Sequence, residues 1–218
     1  MSIANVCDGS TEGPEMGRRE RRAMAMIAAA KDLFLERGYD SVSLTQIVRR
    51  SGGSLSTLYD LFGNKLGLLG AVVDAERYEG IGRLRLILTG DAQPADILMA
   101  AAHHLLDTLE DPTFVGMIRL VMSEALTSPE FATQIYSCNH EPLIDEFVTL
   151  FERWNAEGRA RMPEPRISAH MFASLFFHAP QLRAMFRDRQ ASEVCDRQRM
   201  LRISIDMFLA GAAITRDG

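Results

Sequence analysis

Glycine cuts the first third of this chain into short helices, and nothing else in the sequence constrains its fold as tightly. From Glu20 an apolar stripe runs through Ala23, Met26, Ile27, Ala30, Leu33 and Phe34, at the i, i+3, i+4 spacing of one helix face. Gly38 stops it, as a glycine beyond a helix C-terminus does. Ser43-Leu44-Thr45-Gln46 has the form of a capping box and opens a second helix through Ile47 and Val48. Gly52-Gly53 ends that helix within about two turns. Ser54 caps a third through Leu58, Tyr59 and Phe62; Gly63 breaks it, and Asn64 caps a fourth from Lys65. Two short helices joined by a tight glycine turn, with a longer one before them, form a helix-turn-helix arrangement.

The rest reads as longer amphipathic segments. They run from Lys65 to about Leu88, from Pro94 to about Glu110 and from Pro112 to Thr127. Pro129 opens another, residues 139–157 follow, closed by Gly158, and Ile167–Ala179 comes next, where Pro180 is expected to kink or end the helix. The last runs from about Ala191 to Ala213. No run sustains the period-2 alternation of a strand. Residues 1–17 hold Gly9, Ser10, Gly13 and Pro14 without periodicity and read as a disordered arm. The expected fold class is all-α: a three-helix N-terminal domain over residues 18–66 and a helical C-terminal domain over 67–218.

Charge follows the same division. The 218 residues carry a net charge of −5, which taken whole argues against a polyanionic partner. By segment it is −3 over 1–17, +4 over 18–66 and −6 over 67–218. The helix-turn-helix is the basic part, on a body that polyanions do not attract. Cys7, Cys138 and Cys195 form no CxxC pair and imply neither a disulfide framework nor a zinc site. No basic n-region leads an apolar stretch near the N-terminus, so a signal peptide is not expected. The longest uncharged stretch, Ile167–Leu182, has 16 residues and contains Ser168, His170, Ser174, His178, Pro180 and Gln181, too short and polar for a membrane span. A cytoplasmic protein without membrane contact is expected.

In a helix-turn-helix the last helix enters the major groove and the preceding one crosses the backbone. Here the reading helix is Ser54–Leu61. Ser54, Ser56 and Thr57 are small hydroxyls suited to phosphates or base edges, and Tyr59 adds a phenol to that surface. Lys65 opens the next helix, where its charge and the helix dipole both favour an anion. Arg18, Arg19, Arg21 and Arg22 precede the first helix, where cations oppose the dipole; a flanking backbone or minor groove accounts for them, as does a solvated end.

The stretch from about Arg22 to Val73 resembles the DNA-binding domain of TetR-family transcriptional regulators. The resemblance rests on Ala29, Leu33-Phe34, Glu36-Arg37-Gly38-Tyr39-Asp40, Ser43-Leu44, Ile47-Val48, Ser51-Gly52, Ser54, Thr57-Leu58-Tyr59, Phe62-Gly63-Asn64-Lys65 and Leu68-Leu69. Residues 114–186 resemble AefR-like C-terminal regions through Arg119-Leu120-Val121-Met122-Ser123-Glu124 and Pro129-Glu130-Phe131-Ala132. The resemblance implies a dimeric repressor with a small-molecule pocket in its helical body, and Thr45, Ser54, Ser56, Thr57, Tyr59 and Lys65 as DNA contacts. Arg18, Arg22 and Leu55 join them as candidates, Leu55 either against a thymine methyl or partly packed. Three positions depart from the family pattern: Gly53 replaces a usual valine, Leu55 a lysine or arginine, and Asp60 a histidine. Gly53 is expected to loosen the turn, and Asp60 to repel phosphate if it points outward or to serve as a local cap or ion pair.

In the body, abundant methionines and aromatics suit a plastic apolar cavity. Met99, His103, Met117, Met122 and Trp154 are the candidate effector contacts, Trp154 being equally suited to a dimer seam. Phe147, Phe151, Met171, Phe172, Leu175, Phe176 and His178 are the candidate dimer contacts, since so broad an apolar face fits burial between subunits. Adjacent His103 and His104 point about 100° apart on a helix and do not chelate one ion. No phosphate-cradling glycine loop, nucleophile elbow or metalloprotease pattern is present, so neither catalysis nor a cofactor or metal is expected. The expected protein is a ligand-responsive regulator, a homodimer on a double-stranded operator, released by an apolar or aromatic effector. The alternative is a helical small-molecule or protein-interaction module that has lost sequence-specific DNA binding.

Overall fold

The computed structural model describes residues 17–186 and 197–212; of the side chains within them, those of residues 79, 177–181 and 183–186 are not described. The arm expected at the N-terminus and the start of the last segment fall outside these residues. Among the described residues every element is helical: α1 (Arg18–Arg37), α2 (Leu44–Ser51), α3 (Leu55–Phe62), α4 (Lys65–Leu88), α5 (Pro94–Glu110), α6 (Pro112–Ala125), α7 (Pro129–Ile135), a π turn (Tyr136–His140), α8 (Glu141–Ala156), α9 (Pro165–Phe186) and α10 (Arg197–Gly211).

Local signals set these ends. The Ser43 hydroxyl accepts the Gln46 N–H at 3.3 Å while the Gln46 carbonyl accepts the Ser43 N–H at 2.7 Å, a reciprocal capping box. Gly52 follows at φ +74°, a left-handed position that favours glycine. Ser54 accepts from the Thr57 N–H at 3.1 Å, Asn64 from Gly67 at 2.7 Å and Asp111 from Phe114 at 2.9 Å.

α1 already begins at Arg18, so the arginines expected ahead of it lie in its first turns. Two later elements differ from expectation. Residues 129–156 form one helical path instead of two segments, passing through the π turn, where the Glu141 N–H reaches the Tyr136 carbonyl. Pro142 explains the wide turn: its ring would strike the carbonyl four residues back in a regular α-helix, and it has no N–H to bond there. α9 begins at Pro165, a favoured first helical position, and continues through Pro180 to Phe186, forgoing the one backbone bond that a proline cannot donate.

Apolar packing forms two cores. The first takes Met26, Ala29, Ala30, Leu33 and Phe34 of α1, Ile47, Leu58, and Leu68, Leu69 and Val72 of α4. It extends to Met117 and Val121 of α6 and Phe131 of α7, so the three short-range helices rest on the body and not on themselves alone. The second joins Leu84 and Leu88 of α4 with α5, α8, α9 and α10 around Phe147, Phe151, Trp154, Phe172 and Phe176. These aromatics correct the sequence-based dimer assignment. Phe147, Phe151, Phe172 and Phe176 are fully buried within one protomer, with Phe147–Phe172 centroids 5.0 Å apart and Phe172–Phe176 5.1 Å, and offer nothing to a partner.

Candidate nucleic-acid interface

α3 is anchored by Leu58, fully buried, with Leu61 and Phe62 packed against the same core. At 100° per residue this turns Leu55, Ser56, Tyr59 and Asp60 outward on one arc, and all four are exposed. Leu55 is 38% exposed and Tyr59 52%, so both present substantial surface. Thr45, at the start of α2, is exposed as well. Ser54 is an N-cap first: its hydroxyl takes the Thr57 N–H and lies 2.8 Å from the Thr57 hydroxyl, so each occupies the other.

The turn before α3 resolves the departure at Gly53. A Cβ built there would lie 2.3 Å from the terminal methyl of Met26, whose side chain is buried in the first core. The turn is therefore not loosened by a missing anchor; the apolar volume comes from α1 instead.

Cations divide into held and open ones. The Arg50 guanidinium meets Glu36 at 3.0 Å and Asp32 at 3.1 Å, clamping α2 to α1. This hydrogen bonding holds the Glu36 carboxyl below its usual range. Lys65 is turned inward. Its ammonium donates to the Tyr39 carbonyl and lies 4.2 Å from the Tyr39 ring centroid, and burial lowers its pKa. The sequence reading of Lys65 as an open phosphate anchor is thus qualified: the side chain already has a partner, and pins α4 to the α1–α2 loop. Tyr39 in turn is pushed up to about 12, chiefly by burial. Arg18, Arg19, Arg22, Arg37 and Arg49 are exposed. Arg49 was not among the sequence candidates: adjacent Arg49 and Arg50 look alike in sequence, and only the fold clamps one and leaves the other exposed.

The five candidate effector contacts do not converge. Met117 belongs to the first core, whereas Met99 packs on the second and Trp154 is fully buried within it. Met117 is corrected accordingly: it supports α1 and the short helices. Met122 is half-buried on α6, and His103 turns its Nδ1 to the Met99 carbonyl of its own helix at 2.9 Å. The Trp154 Nε1 is buried without a hydrogen-bond partner.

Sequence reasoning passed over a polar layer between the two cores. Asp74 and Arg77 of α4 face one another at 3.9 Å, and burial raises the Asp74 carboxyl against the pull of Arg77. Asn139 of the π turn lies beside Asp74 and helps to hold its carboxyl down, although no full hydrogen bond forms, and the buried Arg77 Nε, 3.9 Å from Asp74, likewise falls short of one. The faint signal was Pro142, which forces the turn that carries Asn139 inward.

Comparison with known proteins agrees with this architecture. A family model described as "Bacterial regulatory proteins, tetR family" matches residues 26–72, and one described as "AefR-like transcriptional repressor, C-terminal domain" matches residues 96–211. The chain is 29% identical over 127 residues to the HTH-type transcriptional activator FasR of Mycolicibacterium smegmatis. That match spans 58% of this chain and 57% of FasR, so little more than half of the relative's length is covered. A TetR-family transcriptional regulator of Mesorhizobium loti shares 24% identity, with 90% of this chain and 98% of that one covered and a TM-score of 0.77. The flavonoid-responsive regulator FrrA shares 22%, covering 88% and 96%, with a TM-score of 0.68. At these identities the structural likenesses speak for the fold alone. Both family models describe transcriptional regulators, not enzymes. With the helix-turn-helix and most of the body matched, the chain belongs to the TetR family of bacterial transcriptional regulators, with a C-terminal domain of the AefR-like type.

Proposed function

We propose that the protein is a homodimeric, ligand-responsive regulator that binds a double-stranded operator through Thr45, Leu55, Ser56 and Tyr59, with Arg18, Arg22 and Arg49 on flanking phosphates. It acts as a repressor, and a small effector with an apolar or aromatic body releases it. The observation that carries the reading is α3: a short, capped helix whose inner face is locked into the core and whose outer arc is wholly exposed.

The dimer reading is supported by α9 and α10. Ile167, Met171, Leu175 and Leu182 are exposed and fall within an arc of about 80° on α9. Ile203 and Met207 are exposed one turn apart on α10. Apolar stripes of this kind on a folded body favour cover by a second copy. The side chain of His178 lies outside the described residues.

The effector reading is supported by the polar layer. Buried polar atoms that lack a full hydrogen bond are costly, and the Arg77 Nε, 3.9 Å from Asp74, and the Asn139 amide beside Asp74 are only weakly partnered between the two apolar cores. A ligand whose polar group bonds them and whose body lies along the cores satisfies both needs. The description of FrrA as flavonoid-responsive is consistent with such an effector class.

Release follows from linkage. An effector that favours a dimer with its two reading helices wrongly spaced for half-sites about 34–36 Å apart lowers DNA affinity, and DNA lowers effector affinity by the same factor. The test is a gel shift with the DNA upstream of the protein's own gene, over a salt series. If each dimer contacts about 6 phosphates, log affinity falls with log salt at a slope of roughly −5. A slope near zero on a specific site refutes the phosphate contacts.

A second reading, a module without sequence-specific binding, draws on the absence of any base between Leu55 and Phe62 and on exposed Asp60. No retardation of any duplex at low salt by a folded dimer favours it.

A further inference from the structure

The outer arc of α3 is chemically unusual for a surface that meets a polyanion. Leu55, Ser56, Tyr59 and Asp60 compose it, and the helix holds no base. Polar groups nearby are committed elsewhere. The Ser54 and Thr57 hydroxyls occupy each other at 2.8 Å, Arg50 is held by Glu36 and Asp32, and Lys65 faces the Tyr39 carbonyl and ring.

Guanine is read most often by Arg or Lys on its O6 and N7. Nothing on this helix makes that contact. Ser56 and Tyr59 carry hydroxyls that serve bases or phosphates with little discrimination. The discriminating groups are therefore Leu55 and Asp60. Leu55 stands at the first helical position, where reading helices touch base edges, and is the one apolar side chain on the arc without a polar handle. An apolar group in the major groove distinguishes thymine by its C5-methyl. A carboxylate accepts only, so its partner is an exocyclic amino group, that of cytosine or adenine.

We infer that α3 reads each operator half-site without a guanine contact, Leu55 selecting a thymine methyl and Asp60 an exocyclic amino group. The inference rests on the DNA binding proposed above and adds the base chemistry. Arg18, Arg22 and Arg49 lie off the arc and supply affinity without choosing sequence. Asp60 near the groove then acts as a filter: a position that offers only acceptors to it, as guanine does, faces charge against lone pairs.

The test uses the full-length protein. Preferred duplexes are selected from a library with a randomised centre, and affinities for the selected site are measured by fluorescence anisotropy at fixed salt. One thymine per half-site is expected at which deoxyuridine weakens binding about fourfold, the effect of one methyl, and about fifteenfold when both half-sites are changed. Leu55→Ala removes that sensitivity and leaves the salt slope unchanged. Leu55→Arg moves the preference at that position from thymine to guanine, and Asp60→Asn relaxes the preference at the amino-bearing position. Leu55 lies outside the core, so helical content stays at the wild-type level in each variant, which circular dichroism verifies. The inference is overturned if deoxyuridine is tolerated at every thymine, if Leu55→Ala keeps the wild-type sensitivity, or if duplexes are bound with no preferred sequence. Failure to bind any duplex at low salt refutes the DNA-binding function itself, a distinct result.

Discussion

Gly53 and Met26 compete for one space, and substituting each in both backgrounds measures that competition. The backbone at Gly53 is not left-handed: the positive φ values among described glycines belong to Gly38, Gly52, Gly63 and Gly158. A side chain is therefore allowed there, and only the Met26 methyl, 2.3 Å from the new Cβ, opposes it. Overpacking costs about 1–3 kcal/mol, and the low end applies because the opposing atom is the tip of a flexible side chain. Replacing glycine by alanine at a compatible position returns about 0.4–1 kcal/mol through the unfolded chain. Gly53→Ala is thus expected to destabilise the wild type by up to about 0.6 kcal/mol. Met26→Ala alone opens a cavity in the first core and costs about 2–5 kcal/mol. In that background the clash is gone, and Gly53→Ala is expected to stabilise by about 0.4–1 kcal/mol, a reversal of sign with a coupling of about 1 kcal/mol. Urea unfolding of the four proteins at one fixed concentration reads it. Gly53→Ala having the same sign in both backgrounds refutes the proposed contact.

Three further outcomes follow from the same geometry. Met171→Glu with Leu175→Glu places charge on the exposed α9 stripe; light scattering coupled to gel filtration is expected to show monomers with wild-type helix content, and an intact dimer removes α9 from the interface. Asn139→Leu removes the amide beside Asp74 and is expected to weaken effector response with wild-type helix content retained, and an unchanged response removes the polar layer from the effector site. His140 is held below the usual histidine value of 6.5, by burial first and then by His170, against Glu141. Its native state prefers the neutral ring, so this contribution is complete above about pH 6.5 and declines as pH falls through the lower folded value. His140→Phe should flatten that decline in a stability–pH series, and an unchanged slope assigns it to other groups.

Helix ends were legible to within a few residues along most of the chain, because their causes are local. Ser43 bonds Gln46, Ser54 bonds Thr57 and Asn64 bonds Gly67, each across three residues. The two departures, the π turn and the passage through Pro180, are places where proline chemistry has more than one structural outcome. The outward arc of α3 was equally legible, since Leu58 and Phe62 fix which side faces in. Site residues in the body were not. An apolar face looks the same in sequence whether its own chain or a partner covers it, because both remove the same area from water.

The sequence by itself therefore determined the order of helices, the basic N-terminal segment and the family. Only the tertiary structure decided how those pieces are used. Arg50 became a clamp through Glu36, 14 residues away, and Lys65 a pin through Tyr39, 26 residues away. Phe147, Phe151, Phe172 and Phe176 became interior while Met171 and Leu175 on the same helix α9 as Phe172 remained exposed. Gly53 acquired its reason from Met26, and Asn139 its burial from a turn against α4. Each depends on groups distant in the chain meeting in space, and hydrophobic periodicity carries no record of which partner a face or a charge will find.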